Sequence, residues 1–438
     1  MKLAHAVLLL FLFLPAMFCH ASAQDTQQVP VVSASQKSSA PTTAYTLPPD
    51  KLAKAKALYD LNGKLNILGT VWSFAVLLAL LYWGVAARYR NWAESTSRWS
   101  FIQALIAVPL LLLTIDLLEL PLEIYSHHVS LQYGLSVQLW GSWFGDVLKG
   151  EALTLIGGCV LLWLMVLVIR KSPRLWWFWF WFPAFGLFCL LVYGAPLVID
   201  PLFNKFAPLD QTNPRLVTSI EGLAHRAGVD IPRSRIFEMK ASEKTPQLNA
   251  YVTGYGASKR IVIWDTTIQK ITPEETLFIV GHEMGHYILN HIVYGLVLGG
   301  IGLFAALWLL YLFSGWMLQR FQQRWHIRQL GDWAALPMIF LLLGIFAFFS
   351  SPIDNTISRL FEHNADIYGL EVTHGINPNA QEAGAHSFQV LGEVSLVYPT
   401  PNRLLVFWYY SHPPIADRVR FAHEYDPWSK GEQPKYVK

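Results

Sequence analysis

Thr272-Pro273-Glu274-Glu275-Thr276-Leu277-Phe278-Ile279-Val280-Gly281-His282-Glu283-Met284-Gly285-His286 joins a helix start to a metal-binding pair. Thr272 stands as N-cap, Pro273 takes the first helical position and Glu275 completes a capping box. Leu277, Ile279, Val280 and Met284 supply the apolar face. On such a helix, histidines four apart lie one above the other, so His282 and His286 reach a single metal. Glu283, beside the first of them, is placed to deprotonate water held by that metal. A buried helix that merely carries two histidines would match the same five letters, so the reading turns on what the rest of the chain supplies.

The surroundings are those of a membrane. Hydrophobic residues make up 53% of the 438 positions and charged residues 14%, against about a quarter charged in an average soluble domain. Six apolar stretches, at 66–86, 102–122, 152–169, 177–198, 292–313 and 335–352, are long enough or nearly so to cross about 30 Å of hydrocarbon as helix. The run Trp176 to Phe182 opening the fourth reads as an interfacial aromatic belt. Asp116 and Glu119 fall inside the second, where a carboxylate either faces the bundle interior or, for Glu119, reaches the end of the span. Residues 1–23 carry Lys2, an apolar run from Val7 to Phe18 and Ala21-Ser22-Ala23, the pattern of a secretory signal peptide. Residues 24–65 form a Gln-, Ser-, Thr- and Pro-rich tether and a lysine-bearing juxtamembrane segment.

Arginine and lysine set the orientation. Arg88, Arg90 and Arg98, then Arg170, Lys171 and Arg174, then Arg320, Arg324 and Arg328 lie in loops that fall on one face of a six-span chain. The positive-inside rule assigns that face to the cytoplasm. The metal-binding helix and the region after the sixth span then face outward, the periplasmic side in a bacterium. Of the cysteines, Cys19 lies in the leader while Cys159 and Cys189 lie within spans, so no disulfide framework is implied. A net charge of +3 without a basic cluster gives no case for nucleic acid.

A catalytic zinc takes three protein ligands and keeps one position open. The outward C-terminal region offers Glu362 and Asp366, four apart on one helix face, with His363 as a rival ligand. Glu362 would bind metal while Asp366 accepts a hydrogen bond from a ligand histidine. A structural zinc site is closed and has no use for Glu283, which argues against a transporter or scaffold with a structural ion.

Together these segments make the chain resemble the integral-membrane zinc metalloproteases of the CAAX prenyl endopeptidase type, in the gluzincin group. The resemblance rests on Gly281 to His286 followed by Asn290-His291, on Ser358-Arg359 with Glu362, Ala365 and Asp366, and on Asn249 to Gly254 with Asp265-Thr266 closing the next strand. It rests also on Ser411-His412-Pro413-Pro414 with Asp417-Arg418, and on Pro201 to Phe206. It implies one zinc ion per chain held by His282, His286 and Glu362, with Glu283 as general base. It further implies that Asp366 orients a ligand histidine, Arg418 supports Glu362 and His412 stabilises the oxyanion. Asn249, Ala250, Tyr251 and Val252 would hold a polypeptide substrate as an added strand. Independently, Tyr251-Val252 and Arg260 to Trp264, separated by a glycine-containing turn, read as a hairpin. The eukaryotic members have a true first span where this chain has a leader, so chemistry carries over more safely than substrate.

The expected fold is therefore mainly α: a multi-span helical bundle in the lipid bilayer with an inserted α/β zinc-metalloprotease domain. Four spans would occupy 66–200 and two more 292–352, with the protease domain assembled from 201–291 and 353–438. The expected activity is a membrane-embedded metalloendopeptidase acting on extracytoplasmic or membrane-associated polypeptides, with prenyl-protein processing as the alternative. The sequence leaves the oligomeric state open.

Overall fold

The computed structural model describes residues 44–254 and 259–437. The leader at 1–23 and most of the tether lie outside the described residues. The chain before the sheet forms α1 (Pro49–Tyr82), α2 (Val85–Thr96), α3 (Ser100–Gln132), α4 (Trp140–Lys171) and α5 (Trp176–Val198). Short helices α6 (Asp200–Phe203) and α7 (Leu209–Thr212) flank β1 (Phe206–Pro208). Then come α8 (Pro214–Arg226), β2 (Ile236–Met239), β3 (Ala250–Thr253), β4 (Arg260–Trp264), α9 (Asp265–Lys270) and α10 (Pro273–Ile288). The rest is α11 (His291–Phe321), α12 (Leu336–Thr373), α13 (Ala380–Val394), α14 (Arg403–Tyr409) and α15 (Ile415–Glu424).

Among the described residues six helices are long and apolar enough to cross a membrane, as the hydropathy pattern predicts, but their extents differ. The juxtamembrane segment is not separate: with proline at its first position, α1 runs unbroken from Pro49 into the first span. The helix that carries the third span begins at Trp140, twelve residues before the apolar stretch. The aromatic run at the start of α5 is split by the helix period. Trp176 and Phe180 are fully buried, whereas Trp179 and Phe182 are about half exposed, so one face of the run packs inward and the other faces out of the bundle. Asp116 and Glu119 are both buried in α3, which rules out the reading of Glu119 reaching the span's end.

The largest departure is α12, a single helix of 38 residues. At 1.5 Å per residue it is about 57 Å long, against about 30 Å of hydrocarbon. The sixth span and the segment bearing Glu362 and Asp366 are thus one continuous rod, passing through Pro352 without a break. Leu336 and Glu362 stand 26 residues apart on it, about 39 Å at the same rise.

The three arginine-bearing loops meet at the Leu336 end. Arg90 donates to Asp332 Oδ2 at 2.6 Å, and both side chains are buried. Arg328 forks onto Glu94 through two 2.9 Å bonds. Arg170 Nε donates to the Gly331 carbonyl at 2.8 Å and its guanidinium lies over Trp333.

At the other end a four-stranded sheet has the order β1-β2-β4-β3. β2 and β4 run parallel; β1 and β3 are antiparallel to their neighbours. β3 and β4 pair as the predicted hairpin, Ala250 opposite Ile263 and Val252 opposite Ile261. Asp265 stands where β4 ends and α9 begins, and it accepts from Ser242 N at 2.9 Å and Ser242 Oγ at 2.6 Å. Ile236, Ile261 and Ile263 from the sheet form one core with Leu277, Val280 and Met284 of α10 and with Tyr368 and Val372 of α12. Fully burying an apolar side chain of this size is worth about 1.5–3 kcal/mol. The apolar face read from the sequence is therefore what seats α10 between sheet and rod.

Removing one partner of a buried ion pair strands the other charge, at a cost of about 3–5 kcal/mol. Asp332→Ala is accordingly expected to lower the thermal unfolding midpoint in detergent by several degrees, while a paired replacement of Arg90 and Asp332 by apolar residues recovers most of the loss.

Candidate metal centre

The N-terminus of α10 is built as its sequence reads. Thr272 Oγ1 accepts from Glu275 N at 3.3 Å, and Glu275 Oε2 accepts from Thr272 N at 2.9 Å. The other Glu275 oxygen meets His386 Nδ1 of α13 at 2.5 Å. The start of the helix is thus tied to a second element, which fixes its rotation.

Two turns later His282 and His286 face Glu362 of α12. The two Nε2 atoms are 3.2 Å apart, and each lies 3.4 Å from a Glu362 oxygen. These three residues form the group able to hold a metal, their ligand atoms all within 4.8 Å of one another. His363, the rival ligand, is exposed and sits edge-on to Phe421. One turn on from Glu362, Asp366 Oδ1 lies 2.8 Å from His282 Nδ1. Arg418 of α15 grips Asp366 with two hydrogen bonds, 2.6 and 2.9 Å, and its guanidinium stacks 4.1 Å over Phe388. Its distance to Glu362 is 3.7 Å. Arg418 therefore hydrogen-bonds Asp366 and lies near Glu362, the carboxylate that the resemblance expects it to support. His412 Nε2 lies 3.4 Å from Glu362 Oε1, with its other nitrogen 2.9 Å from Ser411 Oγ.

Whether these residues fit a cation is answered by their unmet valences. Glu362 Oε2 is buried and accepts no hydrogen bond among the described residues. Facing imidazole nitrogens with a carboxylate at 3.4 Å repel unless a proton or cation lies between them. Two nitrogens and one carboxylate oxygen are a donor set for zinc, so the residues fit. Burial lowers the pKa of His282, but hydrogen bonds and charge from Asp366 and Glu362 outweigh it and push the group up to about 10. Burial carries His286 down to about 3. Glu283 is pushed up to about 7, chiefly by burial.

β3 is an edge strand: β4 occupies one side and no described strand the other. It packs beside α10. Asn249 precedes it, with its backbone fixed to Thr267 Oγ1 through its N–H and its carbonyl, each at 2.8 Å. Ala250 is buried, while Tyr251 and Val252 are half-buried, and Tyr251 Oη reaches Asp200 Oδ2 at 3.2 Å.

Three residues missed as functional are glycines. A Cβ on Gly369 of α12 would lie 3.0 Å from His282 N and 3.2 Å from His282 Cα. One on Gly285 would meet Ala365 Cα at 3.2 Å, and one on Gly281 would meet Val372 Cγ1 at 2.8 Å. α10 and α12 are therefore in near backbone contact behind the histidines. The spacing of Gly281, Gly285 and Gly369 was the available signal, but small residues facing each other are legible only once the helices are paired.

Comparison with known proteins agrees with this geometry. Residues 210–426 match the model of peptidase family M48. Residues 28–205 match the one described as CAAX prenyl protease N-terminal, five membrane helices. An uncharacterized metalloprotease of Bacillus subtilis, YhfN, is 34% identical over 391 residues, 87% of either chain. CAAX prenyl protease 1 of Saccharomyces cerevisiae is 33% identical over 251 residues, 53% of either chain. The crystal structure of S. mikatae Ste24p superposes with a TM-score of 0.73 at 25% identity, covering 86% of this chain and 89% of that one.

Because the atoms facing Gly369 are backbone, they cannot rotate away. Gly369→Ala is expected to push α10 from α12 by several tenths of an ångström and weaken zinc retention about tenfold or more, since sites of this kind tolerate about 0.5 Å of error. Equilibrium dialysis against a zinc chelator measures it; unchanged retention would show that the contact does not set the site.

Proposed function

The chain belongs to peptidase family M48 and is an integral-membrane zinc metallopeptidase, and from that premise we propose that it hydrolyses peptide bonds of extracytoplasmic or membrane-associated polypeptides. The observation carrying the residue roles is the convergence of His282, His286 and Glu362, whose ligand atoms lie within 4.8 Å of one another, with Glu283 next to His282 on the same helix. The three hold one zinc ion per chain, which when bound polarises the scissile carbonyl and acidifies water. Glu283 takes the proton of the attacking water and returns it to the leaving amine. His412, one nitrogen facing the site and the other against Ser411, donates to the oxyanion of the tetrahedral intermediate. Asp366, itself held by Arg418, keeps His282 in the tautomer that turns a lone pair toward the ion.

Substrate adds as a strand to the free edge of β3, its backbone bonding to Ala250, Tyr251 and Val252 while the Asn249 amide fixes its register. Catalysis takes place on the extracytoplasmic side. The support for this is that the arginine-rich loops gather at the Leu336 end of α12, about 39 Å from Glu362, and the positive-inside rule puts that end in the cytoplasm. Insertion of a site-specific protease target between 209 and 213 tests the side; cleavage from the cytoplasm would refute it.

A second reading, processing of prenylated proteins, is favoured by the likeness to proteins named CAAX prenyl protease 1. Purified protein with zinc is offered a farnesylated C-terminal peptide and its unprenylated twin. Cleavage of both is expected here, and cleavage of the farnesylated peptide alone selects the second reading. Glu283→Gln is expected to retain zinc while losing about 10²–10⁴ in kcat; turnover at the normal rate would overturn the role given to Glu283.

A further inference from the structure

The two ligand histidines each use Nε2 toward the site, so each must settle its Nδ1. A metal-ligating imidazole almost always gives its remaining N–H to an acceptor that fixes ring orientation and tautomer. For His282 the group facing Nδ1 is a carboxylate, Asp366 Oδ1 at 2.8 Å. For His286 the partner is not a carboxylate: its Nδ1 lies 3.1 Å from Nδ1 of His291. His291 is 4% exposed, and its ring is stacked on Phe361 with centroids 4.4 Å apart and an interplanar angle of 6°.

This meeting does not follow from helix periodicity. Five residues along a continuous α-helix turn about 500°, placing the side chain about 140° away from its starting direction. The chain instead ends α10 at Ile288 and begins α11 at His291, with Asn290 between them in the left-handed region at φ 57°. Asn is among the few non-glycine residues that adopt this conformation readily. The left-handed residue swings His291 back over the last turn of α10, where the stack on Phe361 holds it.

We propose that His291 is the positioning residue for His286, accepting the His286 Nδ1–H at its own Nδ1 and carrying its proton on Nε2. This rests on His286 being a zinc ligand. Two nitrogens at 3.1 Å share one proton, so one ring donates and the other accepts. His286 must present a lone pair at Nε2 to bind metal, and its Nδ1 therefore bears the hydrogen. A neutral imidazole is a weaker acceptor than a carboxylate. The pair of ligands is thus unequal, with His282 the more basic through Asp366 and His286 the one whose orientation depends on an uncharged neighbour.

Two substitutions at this position separate positioning from packing, because they keep opposite halves of the side chain. Phenylalanine retains a ring to stack on Phe361 and loses the acceptor. Asparagine loses the ring and keeps a carbonyl oxygen on the same atom branch as Nδ1. Zinc affinity is measured by chelator competition on metal-stripped full-length protein, alongside the unfolding midpoint of the metal-free form. His291→Phe is expected to weaken zinc binding about 10- to 100-fold with the metal-free midpoint unchanged, and His291→Asn to recover most of that affinity. The opposite pattern, tight binding by the Phe variant and a loss with Asn, would show a packing role and overturn the proposal. Equal affinity in wild type and both variants would overturn it too. If wild type itself bound zinc no more tightly than a His286→Ala protein, the failure would lie with His286 as a ligand rather than with His291.

Discussion

The site depends on how closely α10 and α12 approach. Two histidines on one helix and a glutamate on another can share a small cation only if the backbones stand nearly in contact. Glycine at 281, 285 and 369 allows this, since any side chain there would meet a neighbouring main chain or a packed side chain. The capping box at Thr272 and Glu275, the bond to His386 and the apolar core beneath α10 then fix rotation and depth. Packing supplies most of the stabilisation here, and the glycines decide where that stabilisation places the ligand atoms.

Charge is arranged around this contact in two tiers. Glu362 and Asp366 sit one helical turn apart, buried, and would be costly there without compensation. Arg418 offsets both from one side, with Phe388 under its planar face. The histidines complete the balance from the other. A lysine at 418 could not fork onto Asp366 and lie flat on an aromatic ring at once, so the identity of the cation matters as well as its charge.

Much of this was legible in the sequence where chemistry is local. The start of α10, the facing of His282 and His286 with Glu283 beside them, and the β3–β4 hairpin depend on spacings of a few residues, and those spacings read directly. Six apolar spans followed from hydropathy. Extents were harder, because a helix such as α1 or α12 outlasts its apolar stretch when protein rather than lipid receives its next turn. Glu362 could be paired with Asp366 by its four-residue spacing, but that Glu362 rather than His363 faces the histidines is a 100° turn of the helix that only packing resolves. The bond from His291 to His286 was invisible to periodicity because it crosses a helix break at a left-handed residue.

The continuity of α12 has a mechanical consequence. A rod embedded over about 30 Å and projecting beyond it adjusts its tilt to the thickness of the lipid around it. A five-degree change moves a point about 15 Å past the pivot by about 1.3 Å, more than a site of this precision tolerates. Since the glycine contacts make α10 travel with α12, the metal ligands would keep their spacing. The sheet shares one buried core with both helices, so it would be carried along with them, and the whole head would shift relative to the bilayer surface. Lipid thickness thereby sets the height and tilt at which the head stands over the bilayer while the spacing of His282, His286 and Glu362 stays fixed.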